Sequence, residues 1–352
     1  MNTDNENPSN ILIIRLSAIG DVVMASPLIG SFRRTYPEAR ISWLVDDGSK
    51  DILLGHPDID EIIIWPRSAW RSLLREKRLL KLAGEITAFM GDLRRKPRFD
   101  LVLDAQGLLK SGFWAFVTGA KERIGLGSAE GSRYFMTRVI DLKEPDGRIS
   151  FHYLQCAEEL GLHAGDFRMS LATGGEEDRF ALEFAEEFRV EDGYAALCPF
   201  TTRPQKHWRP ERWSEIIGRL SENYGLTSVL LGGPGDQATA DDISAHVNRE
   251  TVNLVGKTTL KQVAAIIKHA SLLIGVDTGL THMGTAFLVP TVALFGSTCP
   301  YTRTYSPRTA VIYSARECSP CRRHPDCDDT FDCMVDIEVE DVLDSVRKVF
   351  AN

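Results

Sequence analysis

Short apolar runs alternate with helical stretches twice along this chain, and that alternation restricts the fold more than any other feature. Each run is long enough for one buried strand, and each precedes a segment with helical periodicity. Such alternation is typical of βαβ units, which build open and mostly parallel sheets. The predicted strands are Asn10–Ile14, Ile41–Val45, Glu61–Trp65 and Leu101–Asp104, then Ala195–Pro199, Ser228–Leu231, Val252–Leu254, Leu272–Val276 and Thr291–Phe295. The sequence therefore predicts an α/β protein.

The length of the chain indicates two domains, because 352 residues exceed the roughly 150 expected for one. The polar segment His163–Gly175 is the predicted linker. We expect an N-terminal domain over residues 1–165 and a C-terminal domain over residues 176–335. A last helix within residues 336–352 is expected to pack back across the boundary onto the N-terminal domain. Two Rossmann-like, doubly wound domains facing a central cleft would bind ligands at the carboxyl ends of their strands.

Charge and hydropathy exclude several classes of protein. The 41 basic and 49 acidic residues give a net charge of −8, so the chain as a whole is not a nucleic-acid-binding protein. Its apolar runs fall short of the roughly 18 residues needed to span a bilayer. The polar segment Met1–Asn10 lacks the pattern of a secretory signal. We therefore expect a cytoplasmic protein.

The segment from Leu272 to Gly284 carries the most distinctive polar turn. Its apolar run ends at Asp277, and Thr278, Thr281 and His282 follow within a segment of small residues that predicts a helix. The start of a helix presents unpaired backbone N–H groups, to which anions bind. The alternative interpretation is an ordinary strand–helix connection capped by Asp277 or Thr278.

Two further loops follow predicted strands. Asp21 lies near the start of a helix, where it is either a helix cap or a general base on the floor of the cleft. Thr201, Thr202 and Lys206 follow the first strand of the second domain, and their hydroxyl and ammonium groups can bind phosphate oxygens. Neither loop has the G-x-G-x-x-G pattern of a dinucleotide site, which disfavours an NAD-linked oxidoreductase.

Four arginines cluster in a basic segment of this acidic chain. Arg67, Arg71, Arg75 and Arg78 are spaced by four, four and three residues, which predicts one helical face. Such a face is either solvated surface or a docking site for a phosphorylated or carboxylated partner, which arginine binds in a bidentate manner.

Four of the seven cysteines lie close together near the C-terminus, at Cys318, Cys321, Cys327 and Cys333. In a cytoplasmic chain such a cluster suggests metal or redox chemistry more than a disulfide framework. Only Cys318 and Cys321 have a familiar metal-ligand spacing. A structural zinc ion and reduced or loosely paired thiols both remain open.

Four motifs together carry a resemblance to a known family. They are Ser17-Ala-Ile-Gly-Asp21, Asp104-Ala-Gln-Gly-Leu-Leu-Lys-Ser111, Thr201-Thr-Arg203 with Lys206-His-Trp208, and Asp277-Thr-Gly-Leu-Thr-His282. In this order they resemble glycosyltransferase family 9, the ADP-heptose:lipopolysaccharide heptosyltransferases, and within it most of all the heptosyltransferase I branch. The cysteine-rich tail looks more like that of the heptosyltransferase II branch. The resemblance implies a GT-B fold and an enzyme that inverts the anomeric carbon without a metal or other required cofactor.

The resemblance also implies roles for individual residues. Asp21 would be the general base that deprotonates the acceptor, and Lys206 would stabilise the departing ADP. Asp277 would hydrogen-bond the heptose. The other donor contacts implied are Thr201, Thr202 and the helix start at Thr278, Gly279, Leu280, Thr281 and His282. The acceptor contacts implied are Arg67, Arg71, Arg75, Arg78 and Gln106, in the N-terminal domain.

The implied activity is transfer of heptose from ADP-heptose to Kdo-lipid A at the inner face of the inner membrane, without a membrane span. A family-9 transferase for another core position or another nucleotide-sugar, like heptosyltransferase II, is the first alternative. A sugar-nucleotide-binding protein without turnover is the second.

Overall fold

A computed structural model of the chain describes residues 7–95, 97–247, 249–321 and 324–351. It divides into two compact units. The first extends to Asp146 and includes Ser150–Ala172, and the second comprises Gly147–Ile149 and the chain from Thr173 onward. The main change of unit, after Ala172, lies within the segment 163–175 for which the sequence predicts a linker.

Six parallel strands form the sheet in the described part of the first unit. The strands are β1 (Asn10–Ile14), β2 (Arg40–Asp46), β3 (Glu61–Trp65), β4 (Leu101–Asp104), β5 (Glu122–Leu126) and β6 (Arg138–Ile140). The helices are α1 (Ile19–Ala25), α2 (Pro27–Thr35), α3 (Arg67–Arg75), α4 (Leu79–Arg95), α5 (Leu109–Val117) and α6 (Phe151–Glu159). The strand order is β3-β2-β1-β4-β5-β6. The chain thus reverses its winding direction between β1 and β4.

Strand β1 is central because it is apolar on both faces. Its residues Ile11–Ile14 are fully buried, as expected for a parallel strand covered by helices on both sides. Ile11 pairs with Ile41 on one side and with Leu101 on the other. This register brings the carboxyl ends of β1 and β4 to the same edge of the sheet.

The second unit repeats this topology. Its strands are β7 (Tyr194–Cys198), β8 (Thr227–Leu230), β9 (Thr251–Asn253), β10 (Leu272–Val276), β11 (Thr291–Phe295) and β12 (Thr309–Tyr313). Its helices are α7 (Gly175–Glu187), α8 (Pro210–Tyr224), α9 (Gln237–Ala245), α10 (Leu260–His269), α11 (Gly279–Ala286), α12 (Asp332–Val335) and α13 (Val339–Ala351). The order is β12-β11-β10-β7-β8-β9, again parallel, with the reversal between β7 and β10.

Gly275 shows how tightly β10 packs against its neighbours. A Cβ atom at this position would lie 2.2 Å from Thr281 Oγ1 and 2.9 Å from Cys198 Cβ. Only glycine allows the strand, the start of α11 and β7 to approach so closely. The turn after β10 is therefore fixed by packing on both sides.

The fold class predicted from the sequence is confirmed: the protein is α/β, with two Rossmann-like, doubly wound units of the GT-B type. Strands β5 and β6 are absent from the strands predicted from the sequence. Strand β6 has only three residues and lies at the sheet edge, so it lacks the apolar run of a central strand. Strand β12 was missed too, since its five residues are all only partly buried.

The C-terminal helix α13 belongs to the second unit. It packs against β11, β12 and α8, and its fully buried residues Val342, Leu343 and Val346 join the core of that unit. Packing of this helix onto the first unit stays a prediction. Among the described residues, none of the helices combines the length and apolar character that crossing a bilayer requires.

Candidate active site

Both units place their predicted site residues where the strand order reverses. In open α/β sheets, ligands bind beyond the carboxyl ends of the strands at this switch point. In the first unit Asp21 follows β1, and Gln106 follows β4. In the second unit Lys206 follows β7, and Asp277 follows β10.

Asp21 lies in the first turn of α1, with its carboxylate fixed by two donors. Its Oδ2 accepts a hydrogen bond from the backbone N–H of Ala18 at 3.2 Å and forms an ion pair with Arg15 at 2.6 Å. The Asp21 side chain nevertheless remains 41% exposed, whereas that of Arg15 is only 11% exposed. The geometry thus combines the helix-cap interpretation with a solvent-accessible carboxylate that a buried cation holds in place.

Gln106 ties the two loops at this switch point together. Its Oε1 accepts a hydrogen bond from the backbone N–H of Leu16 at 2.9 Å. Behind it, the buried carboxylate of Asp104 accepts hydrogen bonds from the backbone of Gln106 and Gly107 and from the Ser111 hydroxyl, at 3.0–3.1 Å. Burial raises the pKa of Asp104 to about 6, although these hydrogen bonds oppose the increase.

The arginine cluster does not share one helical face. Helix α3 ends at Arg75, and Arg78 lies in the connection before α4, since Lys77 adopts a positive φ of 56°. Arg71, Arg75 and Arg78 are exposed. Arg67 instead points to the strand edge, where it pairs with the buried Asp46 at 3.0 Å.

In the second unit, Lys206 and Asp277 form a closely packed ion pair. Their Nζ and Oδ2 atoms are 2.5 Å apart, and the side chains are 15% and 12% exposed. Lys206 reaches this position from a short 3₁₀ helix, Pro204–Lys206. The hydroxyl of Thr298 donates to the same carboxylate oxygen.

The other carboxylate oxygen of Asp277 faces His282. The two atoms, Oδ1 and Nε2, are 3.3 Å apart, and Nδ1 of His282 lies 3.0 Å from the hydroxyl of Tyr301. Burial alone would raise the pKa of Asp277, but the hydrogen bond and charge of His282 and the charge of Lys206 hold it well below its usual range. Burial raises the pKa of Tyr301, so its phenol stays neutral.

Helix α11 begins at this carboxylate. Thr278 is its N-cap residue in extended conformation, without a side-chain hydrogen bond to the helix, and Gly279 and Leu280 form the first turn. The Thr281 hydroxyl is buried and donates to the carbonyl of Val276 at 2.6 Å. Thr281 therefore contributes structure and a backbone position rather than a hydroxyl for a ligand.

The loop after β7 supplies the remaining predicted donor contacts. Thr202 is exposed and Thr201 is half-buried. The Thr201 carbonyl lies 2.9 Å from Nε2 of His207, so the loop folds back on itself. Thr201, Thr202 and Lys206 consequently share one short loop at the switch point.

The four clustered cysteines line one cavity of about 570 Å³. Burial, together with the nearby thiols, raises the pKa of Cys333 to about 11, so this side chain is a neutral thiol. In the described ranges, no three His, Cys, Asp or Glu side chains come close enough together to hold a metal ion. The arrangement does not provide an assembled ligand set, and structural zinc at these cysteines stays a prediction.

Three residues of the site have no role in the sequence analysis. Arg15 is the cation directly after the apolar run of β1, and Thr298 and Tyr301 follow β11. Strand β11 pairs with β10. Only their position after a strand could have indicated these residues in the sequence. Polar residues that follow a strand next to the switch point lie at the same edge of the sheet as the site.

Two doubly wound units with charged groups at their switch points define an α/β protein of the GT-B type. A model of glycosyltransferase family 9 (heptosyltransferase) matches residues 86–331, about two thirds of the chain. The chain belongs to glycosyltransferase family 9.

Relatives of known name agree with this assignment. The lipopolysaccharide heptosyltransferase 1 of Pseudomonas aeruginosa is 26% identical over 88% of this chain and 85% of its own length. That of Salmonella typhimurium is 28% identical, covering 82% and 89%. The lipopolysaccharide heptosyltransferase 2 of Escherichia coli is 25% identical, covering 96% and 97%. Relatives of both types thus match most of the chain.

Solved structures show the same fold. A family-9 glycosyltransferase from Veillonella parvula has a TM-score of 0.79 at 23% identity, covering 97% of each chain. A heptosyltransferase of Escherichia coli with ADP-2-deoxy-2-fluoro heptose has a TM-score of 0.71 at 23% identity, covering 96% of this chain and 99% of its own.

Proposed function

We propose that the protein transfers a heptose from ADP-heptose to the Kdo-lipid A inner core of lipopolysaccharide, with inversion and without a metal. The Lys206–Asp277 pair at the second switch point carries the proposal. A nearly buried ammonium beside a helix start is suited to a diphosphate. Family membership and the ligand named for the Escherichia coli structure support a donor of this class.

The second unit would hold the donor. The backbone N–H groups at the start of α11 would bind the diphosphate, with Thr201 and Thr202 as further contacts. Lys206 would stabilise the charge that develops on the β-phosphate as the glycosidic bond breaks. Asp277 would keep the ammonium in position and hydrogen-bond the heptose, while His282 and Thr298 hold the carboxylate.

The first unit would bind and activate the acceptor. Asp21 would take the proton from the acceptor hydroxyl as it attacks the anomeric carbon from the side opposite to ADP, which inverts the configuration. Arg15 would orient the Asp21 carboxylate. The exposed Arg71, Arg75 and Arg78, with Arg67 and Gln106, would contact the anionic acceptor. The protein would act in the cytoplasm, at the inner face of the inner membrane.

The test is a transfer assay with ADP-heptose and Kdo-lipid A, followed by mass spectrometry of the acceptor. We expect one added heptose with the opposite anomeric configuration, and undiminished transfer in the presence of EDTA. Parallel reactions with ADP-glucose, UDP-glucose and GDP-mannose test donor choice. No transfer from any ADP-sugar would contradict the proposal.

The second candidate function is transfer to a later core position. It is favoured by the match to the Escherichia coli heptosyltransferase 2 over nearly the whole chain. An acceptor that already carries the first heptose distinguishes the two: under this alternative only that acceptor gains a sugar. Donor binding with no transfer to either acceptor would indicate a binding protein.

A further inference from the structure

The first unit contains a largely apolar cavity that has no role in the chemistry described above. Its volume is about 530 Å³. Trp114 forms its buried wall, while Leu109 and Phe113 are 50% and 36% exposed at its opening. The complete lining is Trp65, Leu109, Lys110, Phe113, Trp114, Glu130 and Phe135.

Aromatic packing keeps this cavity in shape. The ring of Trp114 contacts the rings of Trp65 and Phe113 at 6.1 and 5.1 Å between centroids, and Phe113 contacts Phe135 at 6.3 Å. These rings come from β3, from α5 and from the segment before β6, so three parts of the chain fix the walls. The cavity is therefore a built feature of the unit.

One cation lines the cavity and a second lies beside its wall. Lys110 lines it, and burial together with the charge of Arg67 lowers the pKa of the Lys110 ammonium. Arg67 itself lies over the ring of Trp65 at 5.9 Å, and it shares its charge with Asp46. Glu130 is the acidic residue of the lining. Apolar walls with Lys110 in the lining and Arg67 against Trp65 fit the chemistry of an anionic amphiphile.

The position of the cavity connects it with the proposed acceptor site. Trp65 and Asp46 are the last residues of β3 and β2, and Lys110 lies in the first turn of α5, the helix that follows β4. These parallel strands end at the edge of the sheet that also carries Asp21. An amphiphile in the cavity would thus extend its polar part along the edge that holds the proposed base.

We propose that this cavity binds one hydrocarbon chain of the anionic acceptor lipid, whose phosphate or carboxylate pairs with Lys110 and Arg67. This inference rests on the proposed function, since it identifies a lipid subsite of the same acceptor. The occupant is a single chain of the acceptor, not the surface of a bilayer.

The first test measures binding of monomeric alkyl phosphates from hexyl to dodecyl by calorimetry. Affinity should rise about fourfold for each added methylene until the cavity is filled, because each buried methylene contributes about the same transfer free energy. The increase should then stop. Affinity independent of chain length would show a plain anion site and overturn the proposal.

Matched variants locate the binding. Leu109→Glu should weaken decyl phosphate about tenfold or more, because a charge at the opening opposes burial of the chain. Leu182→Glu is the control, since Leu182 is an equally exposed leucine on α7 of the second unit. Equal loss in both variants, or in neither, would overturn the proposal.

A second pair separates the anion from the chain. Lys110→Gln should weaken decyl phosphate about tenfold while leaving decyl maltoside unchanged, because it removes only a charge-assisted hydrogen bond. Lys121→Gln, at an exposed lysine of the same unit, should change neither affinity. An unchanged affinity of Lys110→Gln for the phosphate would contradict the assigned head-group contact.

Transfer assays distinguish this inference from the proposed function. With the acylated acceptor, Leu109→Glu should raise KM about tenfold, whereas a fully deacylated acceptor should show the same KM for variant and wild type. Normal transfer without any effect of acylation or of Leu109→Glu would overturn the lipid subsite alone. Chain-length-dependent binding without any sugar transfer would overturn the proposed function alone.

Discussion

Asp104 and Asp277 occupy nearly the same place in the two units, yet their electrostatic surroundings differ. Asp104 ends β4, the fourth strand of its unit, and Asp277 follows β10, the fourth strand of the other. Hydrogen bonds from neutral groups surround Asp104, and burial raises its pKa to about 6. The pKa of Asp277 is held low by His282 and Lys206 despite burial. The same residue type at matching positions of the two units thus has its pKa shifted in opposite directions.

The difference teaches how the two switch points divide their tasks. In the first unit the buried carboxylate shapes a loop, while the exposed Asp21 is the acid that a substrate can reach. In the second unit the buried carboxylate organises fixed charge around Lys206. Under the proposed function, the switch point of the first unit accepts a proton, and the switch point of the second unit stabilises a leaving group.

The largest effect should come from removing the exposed carboxylate of the first edge. Asp21→Ala should lower kcat by about 10³ or more, because a general base typically contributes 10²–10⁴ and the cap is lost as well. ADP affinity, measured by calorimetry, should stay nearly unchanged. Asp92→Ala, at an exposed acid on α4, is the control. Retained turnover in Asp21→Ala would show that Asp21 is not the general base.

Removing the cation of the second edge should have the next largest effect. Lys206→Ala should lower kcat by about 10²–10³, the usual size of one electrostatic contribution to a transition state. Lys206→Arg should restore part of the rate, and Lys257→Ala at an exposed lysine should leave it normal. A near-normal rate in Lys206→Ala would mean that the backbone N–H groups of α11 suffice.

The sequence was enough for most of the strands that lie inside the sheets. Asn10–Ile14, Leu101–Asp104 and Leu272–Val276 coincide with β1, β4 and β10, because hydrophobic runs identify buried strands. Edge strands such as β6 and β12 lack that signal. At the site, the sequence brought out Asp21, Lys206 and Asp277. Their partners Arg15 and Tyr301 depend on tertiary contacts between separate loops, which periodicity does not encode.

The pH dependence of stability tests whether the pKa of Asp104 is raised as described. Since folding raises the pKa of Asp104 from 3.8 to about 6, the folded state binds more protons than the unfolded state between these pH values. The contribution of this group to the free energy of unfolding is therefore complete below about pH 4 and is lost as pH rises to about 6, a change of about 3 kcal/mol.

Asp104→Asn should remove this pH dependence while keeping an acceptor for the backbone donors. Urea unfolding at pH 4, 5, 6 and 7 should show a variant whose stability relative to wild type improves as pH rises. A constant difference between the two proteins across this range would mean that Asp104 is charged throughout, like Asp277. The two carboxylates would then not differ in the way described above.

The smallest effect should come from Tyr301, which contacts His282 on the side away from Asp277. Tyr301→Phe removes the hydroxyl beside Nδ1 of His282 and leaves a buried polar atom without this partner. The free energy of unfolding should fall by about 1–3 kcal/mol. Because Lys206 still contacts Asp277 directly, kcat should fall less than in Lys206→Ala. Ser214→Ala, at a buried hydroxyl of α8 that donates to the carbonyl of Ile243, provides a stability control. The two rates decide whether Tyr301→Phe acts through the ion pair instead. If Tyr301→Phe lowered kcat as much as Lys206→Ala, the position of the Lys206 ammonium would depend on the contacts from Tyr301 through His282 to Asp277. The switch point of the second unit would then be a coupled network rather than a single fixed charge.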